Sequence, residues 1–117
     1  MNTRQKGMEY ETLAAEYLAG RGYAILEKNF RCRCGEIDLV ARQGICLVFV
    51  EVKYRRDGGC GEASQAVDRR KQQRLSRTAM CYCLERGIPE DIPCRFDVIS
   101  VTGRELRHYE DAFDFIR

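Results

Sequence analysis

Several features that narrow a chain's role are scarce in this one. No apolar run approaches the roughly 18 residues that a membrane-crossing helix needs. The opening stretch, MNTRQKGMEYE, has no apolar region of the signal-peptide kind, so a cytoplasmic protein is expected. No repeat, low-complexity segment or linker divides the 117 residues, a length that suits one domain over 1–117. Net charge is only +2, which by itself points to no partner. The one histidine, His108, suggests no role and is expected to be exposed or half-buried. Zinc-like cysteine spacing is also missing, although cysteines are plentiful. Cys32 and Cys34 are one residue apart, as are Cys81 and Cys83, and Cys46, Cys60 and Cys94 are scattered. Seven cysteines without an export signal read as reduced thiols, mostly small buried side chains.

What is present is a core. Hydrophobic residues make up 44% of the chain, too many for a disordered one. Tyr10, Leu13, Ala14, Tyr17 and Leu18 recur at helical spacing, predicting a helix over about 4–19 that ends at Gly20 and Gly22. Strands are expected at 23–30, 36–42 and 45–54, the last two joined by a turn at Gln43-Gly44. A loop at 56–61, RDGGCG, precedes a long helix over about 64–86, stopped by Gly87 and Pro89. A hairpin of 95–101 and 105–109 follows, with Phe113, Phe115 and Ile116 packing the C-terminus down. This order predicts an α/β domain with a mixed central sheet flanked by helices.

Charge is concentrated in two places. Between Lys53 and Arg77 there are eight basic residues and three acids, so that segment is +5 and the remainder −3. On a helix, Arg70, Arg74 and Arg77 fall within one arc opposite Leu75, Ala79 and Cys83, with Lys71 between the two faces, where it could point along the sheet toward the acids of the 36–54 hairpin. Such a stripe suits the phosphates of DNA, which give affinity without sequence information, or is simply a solvated face.

The second concentration is in GEIDLVARQGICLVFVEVKYR, residues 35–55. Alternation puts Glu36 and Asp38 on one strand face, with Ile37 and Leu39 on the other. In the next strand, Leu47, Phe49, Glu51, Lys53 and Arg55 share a face, leaving Val48, Val50 and Val52 opposite. A tight antiparallel hairpin then brings Asp38 to Glu51 and Lys53, with the other side of the sheet apolar. Buried like charges are costly without compensation. Either a salt-bridge network through Lys53 compensates them, or the carboxylates converge on a divalent cation. Oxygen ligands of this kind suit Mg²⁺ or Mn²⁺. Arg95 and Asp97 share another strand face and are expected to pair with each other.

Asp38, Glu51-Val52-Lys53 and the helix after them resemble the PD-(D/E)xK nucleases of the restriction-endonuclease-like superfamily. More closely, the chain resembles the YraN family of small bacterial endonuclease-like proteins. The matching residues include Gly7, Glu11, Ala14, Gly22-Tyr23, Asn29, Gly35 to Leu39, Val48 to Lys53, Arg55, Lys71, Arg74-Leu75, Arg95 to Val98 and Ala112-Phe113. The superfamily also includes archaeal Holliday junction resolvases of similar size. The resemblance implies a restriction-endonuclease-like core and metal-dependent cleavage of DNA, with branched DNA a candidate substrate. It implies Asp38, Glu51, the Val52 carbonyl and Glu11 as ligands of Mg²⁺ or Mn²⁺. Lys53 would be the catalytic lysine and Glu36 a supporting acid, while Arg55, Arg70, Lys71, Arg74 and Arg77 would meet DNA. By analogy with resolvases it also implies a homodimer. Ile37 stands where the superfamily usually has proline. A nucleic-acid-binding protein that keeps this fold without catalysis is the alternative.

Overall fold

The computed structural model describes residues 3–55, 67–103 and 105–116. The loop expected at 56–61, Cys60 and a helix start at Ser64 lie outside them. The elements are α1 (Thr3–Gly20), β1 (Ala24–Cys32), β2 (Gly35–Gln43), β3 (Cys46–Arg55), α2 (Arg69–Arg86), β4 (Cys94–Thr102) and β5 (Glu105–Phe113). The strands form one five-stranded sheet in chain order. All neighbours are antiparallel except β3 and β4, which run parallel from Leu47↔Cys94 to Arg55↔Thr102. A parallel pair needs a crossover, and α2 lies within that connection. The result is the mixed α/β architecture expected of a restriction-endonuclease-like core. No helix in the described residues is long and apolar enough to cross a membrane.

Each sheet face carries its own core. Alternation in β3 sends Leu47 and Phe49 toward Leu75, Ala79 and Tyr82 of α2. It sends Val48 and Val50 toward Ala14, Ala15 and Leu18 of α1. α2 starts at Arg69, where Asp68 is its N-cap and accepts the Lys71 N–H at 2.8 Å. It ends at Gly87, whose φ of 65° gives the left-handed cap that glycine adopts without strain. Phe113 and Phe115 stack on Phe96, and the Ile116 N–H donates to Ser76 Oγ, so the C-terminus is packed down as expected.

Three expectations change. Leu13, placed in the apolar stripe of α1, is 47% exposed, and Ala15 is buried instead. The hairpin turn falls at Gly44-Ile45, one residue later than expected, because Gln43 pairs with Cys46. The α1 side of the sheet is not wholly apolar. Asp97 is fully buried there and accepts from Arg95 Nε at 2.9 Å and from the Asp111 N–H at 3.0 Å. The expected Arg95–Asp97 pair is thus present, within a larger network. His108 Nε2 lies 2.7 Å from the other Asp97 oxygen and its Nδ1 lies 3.2 Å from the Tyr17 hydroxyl. Half-buried as a residue, with its side chain only 5% exposed, this histidine bridges β5 and α1. Arg95 also donates to the Tyr23 hydroxyl, which in turn donates to Glu110. Burial alone would push the Asp97 carboxyl up, but His108, Arg95 and the Asp111 N–H outweigh it and hold its pKa below the ordinary value.

Asp97→Ala removes the acceptor for three donors where water has no access. The expected cost is about 3–5 kcal/mol, read from the urea midpoint at constant slope. A loss below about 1 kcal/mol would show that the network contributes no more than a surface pair.

Candidate functional site

The site begins where the β2–β3 ladder stops. Its pairs run from Gln43↔Cys46 to Leu39↔Val50. At the next position the Asp38 side chain replaces a ladder carbonyl: its Oδ2 accepts the Val52 N–H at 2.8 Å. Strict alternation also fails here. Ile37 packs with Phe49 and Leu75 on the α2 side, while Leu39 packs with Val50 on the α1 side. Asp38 turns between them toward β3. Its carboxyl meets that of Glu51, which is only 7% exposed. Burial first, and then the Glu51 charge, push the Asp38 pKa up to about 8, against the opposing Val52 N–H. Near neutral pH the pair therefore shares a proton.

Two ammonium groups converge on one oxygen of this pair. Lys53 Nζ lies 3.4 Å from Glu51 Oε2, and Lys71 Nζ contacts the same atom. Lys53 arrives from two positions along β3. Lys71 arrives from the first turn of α2, where the Asp68 cap holds its backbone. Burial, and then the Lys71 ammonium, hold the Lys53 pKa below its ordinary value. Burial would also lower Lys71, but its contact with Glu51 wins and raises it. Lys71 is thus the charged partner of Glu51, and Lys53 is the more readily deprotonated amine.

α1 supplies a third acid. Glu11 touches Asn29 and Asp38, and burial raises its pKa despite those contacts. Asn29 holds φ of 54°, a left-handed conformation that asparagine tolerates better than most residues. Asp38 and Glu51 line a pocket of about 600 Å³, whose rim carries Arg31, Glu36, Lys71 and Arg74. Glu36 is at the rim, 3.5 Å from Arg31. Gly35 lets the β1–β2 turn approach α2. A Cβ there would lie 3.0 Å from Thr78 Oγ1 and 3.3 Å from Arg74 Cγ, at a φ of 154°.

The structure therefore gathers Asp38, Glu51, Lys53, Glu11 and the Val52 backbone, with Glu36 and Arg74 at the edge. Lys71, counted among the DNA contacts and also expected to be able to point along the sheet toward the site, reaches the acids. Arg70 and Arg77 are exposed on α2 and do not line the pocket. The Arg55 side chain lies outside the described residues. Arg31, Asn29 and Gly35 had no assigned part in the site. Asn and Gly are the residues that tolerate positive φ, but only the fold shows what those conformations position.

Among the described residues, no three side chains of His, Cys, Asp or Glu form a metal-holding group. A site built on Asp38 and Glu51 would be completed by backbone oxygen and water. That donor set fits Mg²⁺ or Mn²⁺, since Mg²⁺ commonly keeps several waters and takes one or two carboxylates. Crowded acids that retain a proton are also what a divalent cation would relieve.

A family model described as "Uncharacterised protein family UPF0102" matches residues 10–101. The chain belongs to this family. It is the YraN family that the sequence resembled. A UPF0102 protein of Lachnoclostridium phytofermentans is 48% identical over 114 residues, covering 97% of both chains. One of Geotalea uraniireducens is 42% identical over 118 residues, covering 97% of this chain and 92% of its own. One of Nitrosococcus oceani is 42% identical over 114 residues, covering 94% and 92%. The UPF0102 match spans Glu11, Asp38, Glu51, Lys53, Lys71 and Arg74, so the whole cluster lies inside it.

The raised Asp38 pKa fixes the sign of a pH effect. The folded chain keeps a proton that the unfolded chain releases between about pH 4 and pH 8, so stability falls as pH rises through that window. At most about 1.4 kcal/mol per pH unit is expected from this group. Urea unfolding at pH 5.5, 7 and 8.5 should show the decline in the parent and a flatter profile in Asp38→Asn. Equal slopes in the two proteins would mean that Asp38 titrates normally.

Proposed function

We propose that this protein is a metal-dependent nuclease-like protein that hydrolyses phosphodiesters in DNA, with branched or otherwise structured DNA as the preferred class. The observation that supports it most is the meeting of Asp38 and Glu51 beside Lys53, at the floor of a pocket rimmed by Arg31, Lys71 and Arg74. Acids alone would repel a phosphate. Acids set below a basic rim can admit one if a cation neutralises them.

Asp38, Glu51 and the Val52 carbonyl would hold Mg²⁺ or Mn²⁺, with Glu11 able to complete the set from α1. When bound, such an ion supplies an acidified water and neutralises charge on the phosphate. The chain's own groups do the rest. Lys53, with its lowered pKa, is placed to orient the attacking water and to stabilise charge developing on the phosphoryl oxygens. Lys71, which contacts Glu51 Oε2, would be free to meet a phosphate oxygen if that carboxylate were engaged by a cation. Arg31 and Arg74 hold the backbone at the rim. Arg70 and Arg77 extend that track along the exposed face of α2. A symmetric junction would need two such sites, so the resolvase-like form of this reading carries a homodimer with it.

One observation favours a second reading. The Lys71–Glu51–Lys53 cluster already balances the acids without any metal. A non-catalytic nucleic-acid-binding protein with a nuclease-like fold would need no more than that.

Melting curves separate the two. With Mn²⁺ at a hundredfold excess over Kd, the parent should gain about 2.7 kcal/mol, and Asp38→Asn should gain nothing. Nicking of a branched DNA should need the metal and should be lost in Asp38→Asn and Lys53→Ala. No metal effect on either protein, together with a marked loss of stability in Asp38→Asn, would leave the ion-cluster reading standing. DNA binding itself is a separate test. Replacing Arg70 and Arg74 by Ala should reduce the slope of log K against log salt by about two, and an unchanged slope would remove α2 from the binding face.

A further inference from the structure

Three thiols meet at one rim of the pocket. Cys32 ends β1, Cys34 follows in the turn to β2, and Cys81 faces them from α2. All three are unpaired. The Cys34 N–H donates to Cys32 Sγ at 3.3 Å. The Cys32 thiol is also within hydrogen-bond reach of the Cys81 thiol. Cys32 and Cys81 pack against the same aromatic cluster around Phe30 and Tyr82, while Cys34 is exposed. Cys32 lines the pocket itself. Cys81 Sγ donates to Glu85 Oε2 at 3.1 Å.

We propose that Cys32 and Cys81 form an oxidation site: a hydroperoxide converts them to a disulfide that ties the β1–β2 turn to α2 across the edge of the pocket. The two thiols are dissimilar, as such a reaction requires. Burial would raise the Cys32 pKa, but the N–H groups of Cys34 and Gly35 and the neighbouring thiols outweigh it and lower it. Cys81 is held protonated by Glu85 first and Cys32 second, with its pKa raised to about 12. Cys32 is therefore the attacking thiolate. It takes one peroxide oxygen to become a sulfenic acid and releases hydroxide. Cys81 then gives its proton to Glu85, its sulfur attacks the sulfenic sulfur, and the displaced hydroxide leaves as water. Overall, two thiols and one hydrogen peroxide give one disulfide and two waters.

Selectivity is built into the surroundings. Cys83 and Cys94 also lie side by side, further along α2. Burial raises both, Cys94 to about 12, so that pair offers no thiolate near neutral pH. The bond between Cys32 and Cys81 does not depend on the nuclease reading. Its effect on a ligand does, because the tie holds the turn that carries Arg31 and Gly35 against the helix that carries Lys71 and Arg74.

The test uses the full chain, reduced and then exposed to a small excess of hydrogen peroxide. Trypsin separates Cys32 from Cys34 at Arg33 and releases residues 78–86 as one peptide. Tandem mass spectrometry should find the Cys32 peptide joined to Cys81, reversibly with dithiothreitol, and no joining in Cys81→Ser. The oxidised parent should melt several degrees higher than the reduced form, since the bond closes a long loop of the unfolded chain. Cys81→Ser should show no such shift. A bond between Cys32 and Cys34, a bond between Cys83 and Cys94 formed first, or no bond at all would overturn the proposal. Bond formation in a chain that binds neither Mn²⁺ nor DNA in either redox state would sink the nuclease reading and leave the oxidation site standing.

Discussion

One hydrogen bond organises the site: the Val52 N–H donating to Asp38. A sheet normally satisfies that group with a carbonyl of the neighbouring strand. Using a carboxylate instead ends the β2–β3 ladder one residue past Leu39 and turns Asp38 toward β3. Glu51 is then at its side, Lys53 two residues further, and the Val52 backbone between them. An apolar residue at position 38 would leave a buried N–H unpaired, and asparagine would keep the acceptor while dropping the charge. The charge is therefore separable from the fold, which is what a functional acid in a hydrophobic sheet requires.

The helices supply what the hairpin lacks. Because β3 and β4 are parallel, the chain must cross the sheet, and α2 does so on the face where Glu51 and Lys53 stand. Its Asp68 cap sets the first turn, and so Lys71, against Glu51. α1 covers the other face and brings Glu11 round the sheet to Asp38, with Asn29 bracing it. The buried Asp97–His108–Arg95 network ties β4, β5 and α1 together on that same face. Polar groups thus occur on both sides of the sheet in opposite regimes. Asp97 has every lone pair engaged and stays ionised, whereas Asp38 has too few donors and keeps its proton.

Much of this was legible in the sequence, for identifiable reasons. Period-2 alternation holds through β3, so the shared face of Phe49, Glu51 and Lys53 was readable, and the helical arc of α2 separated Leu75 and Ala79 from its arginines. The reading failed where a side chain overrides the backbone pattern. Asp38 takes a main-chain hydrogen bond, so Ile37 and Leu39 end on opposite faces. Asp68 caps α2 through the Lys71 N–H, a local hydrogen bond that the apolar periodicity does not reveal. His108 looked idle because Tyr17 is 91 residues away in sequence and Asp97, across the β4–β5 hairpin, was expected to pair with Arg95 alone. Lys71 lay between the two faces of a helical wheel, where it could point toward the site, and the crossover sets it against Glu51.

The strand order has a consequence in time. Because the strands follow the chain in space, β1, β2 and β3 can pair through short loops, and so can β4 and β5. Only the parallel β3–β4 seam requires a long loop to close, with its larger entropic cost. Asp38 and Glu51 belong to the local hairpin, while Lys71 belongs to the crossover. The route of lowest entropic cost therefore assembles the two acids and Lys53 first and delivers Lys71, the second ammonium, last. Until that seam closes, the nascent hairpin holds two carboxyls with a single ammonium between them, open to solvent and free to take a proton or any passing cation.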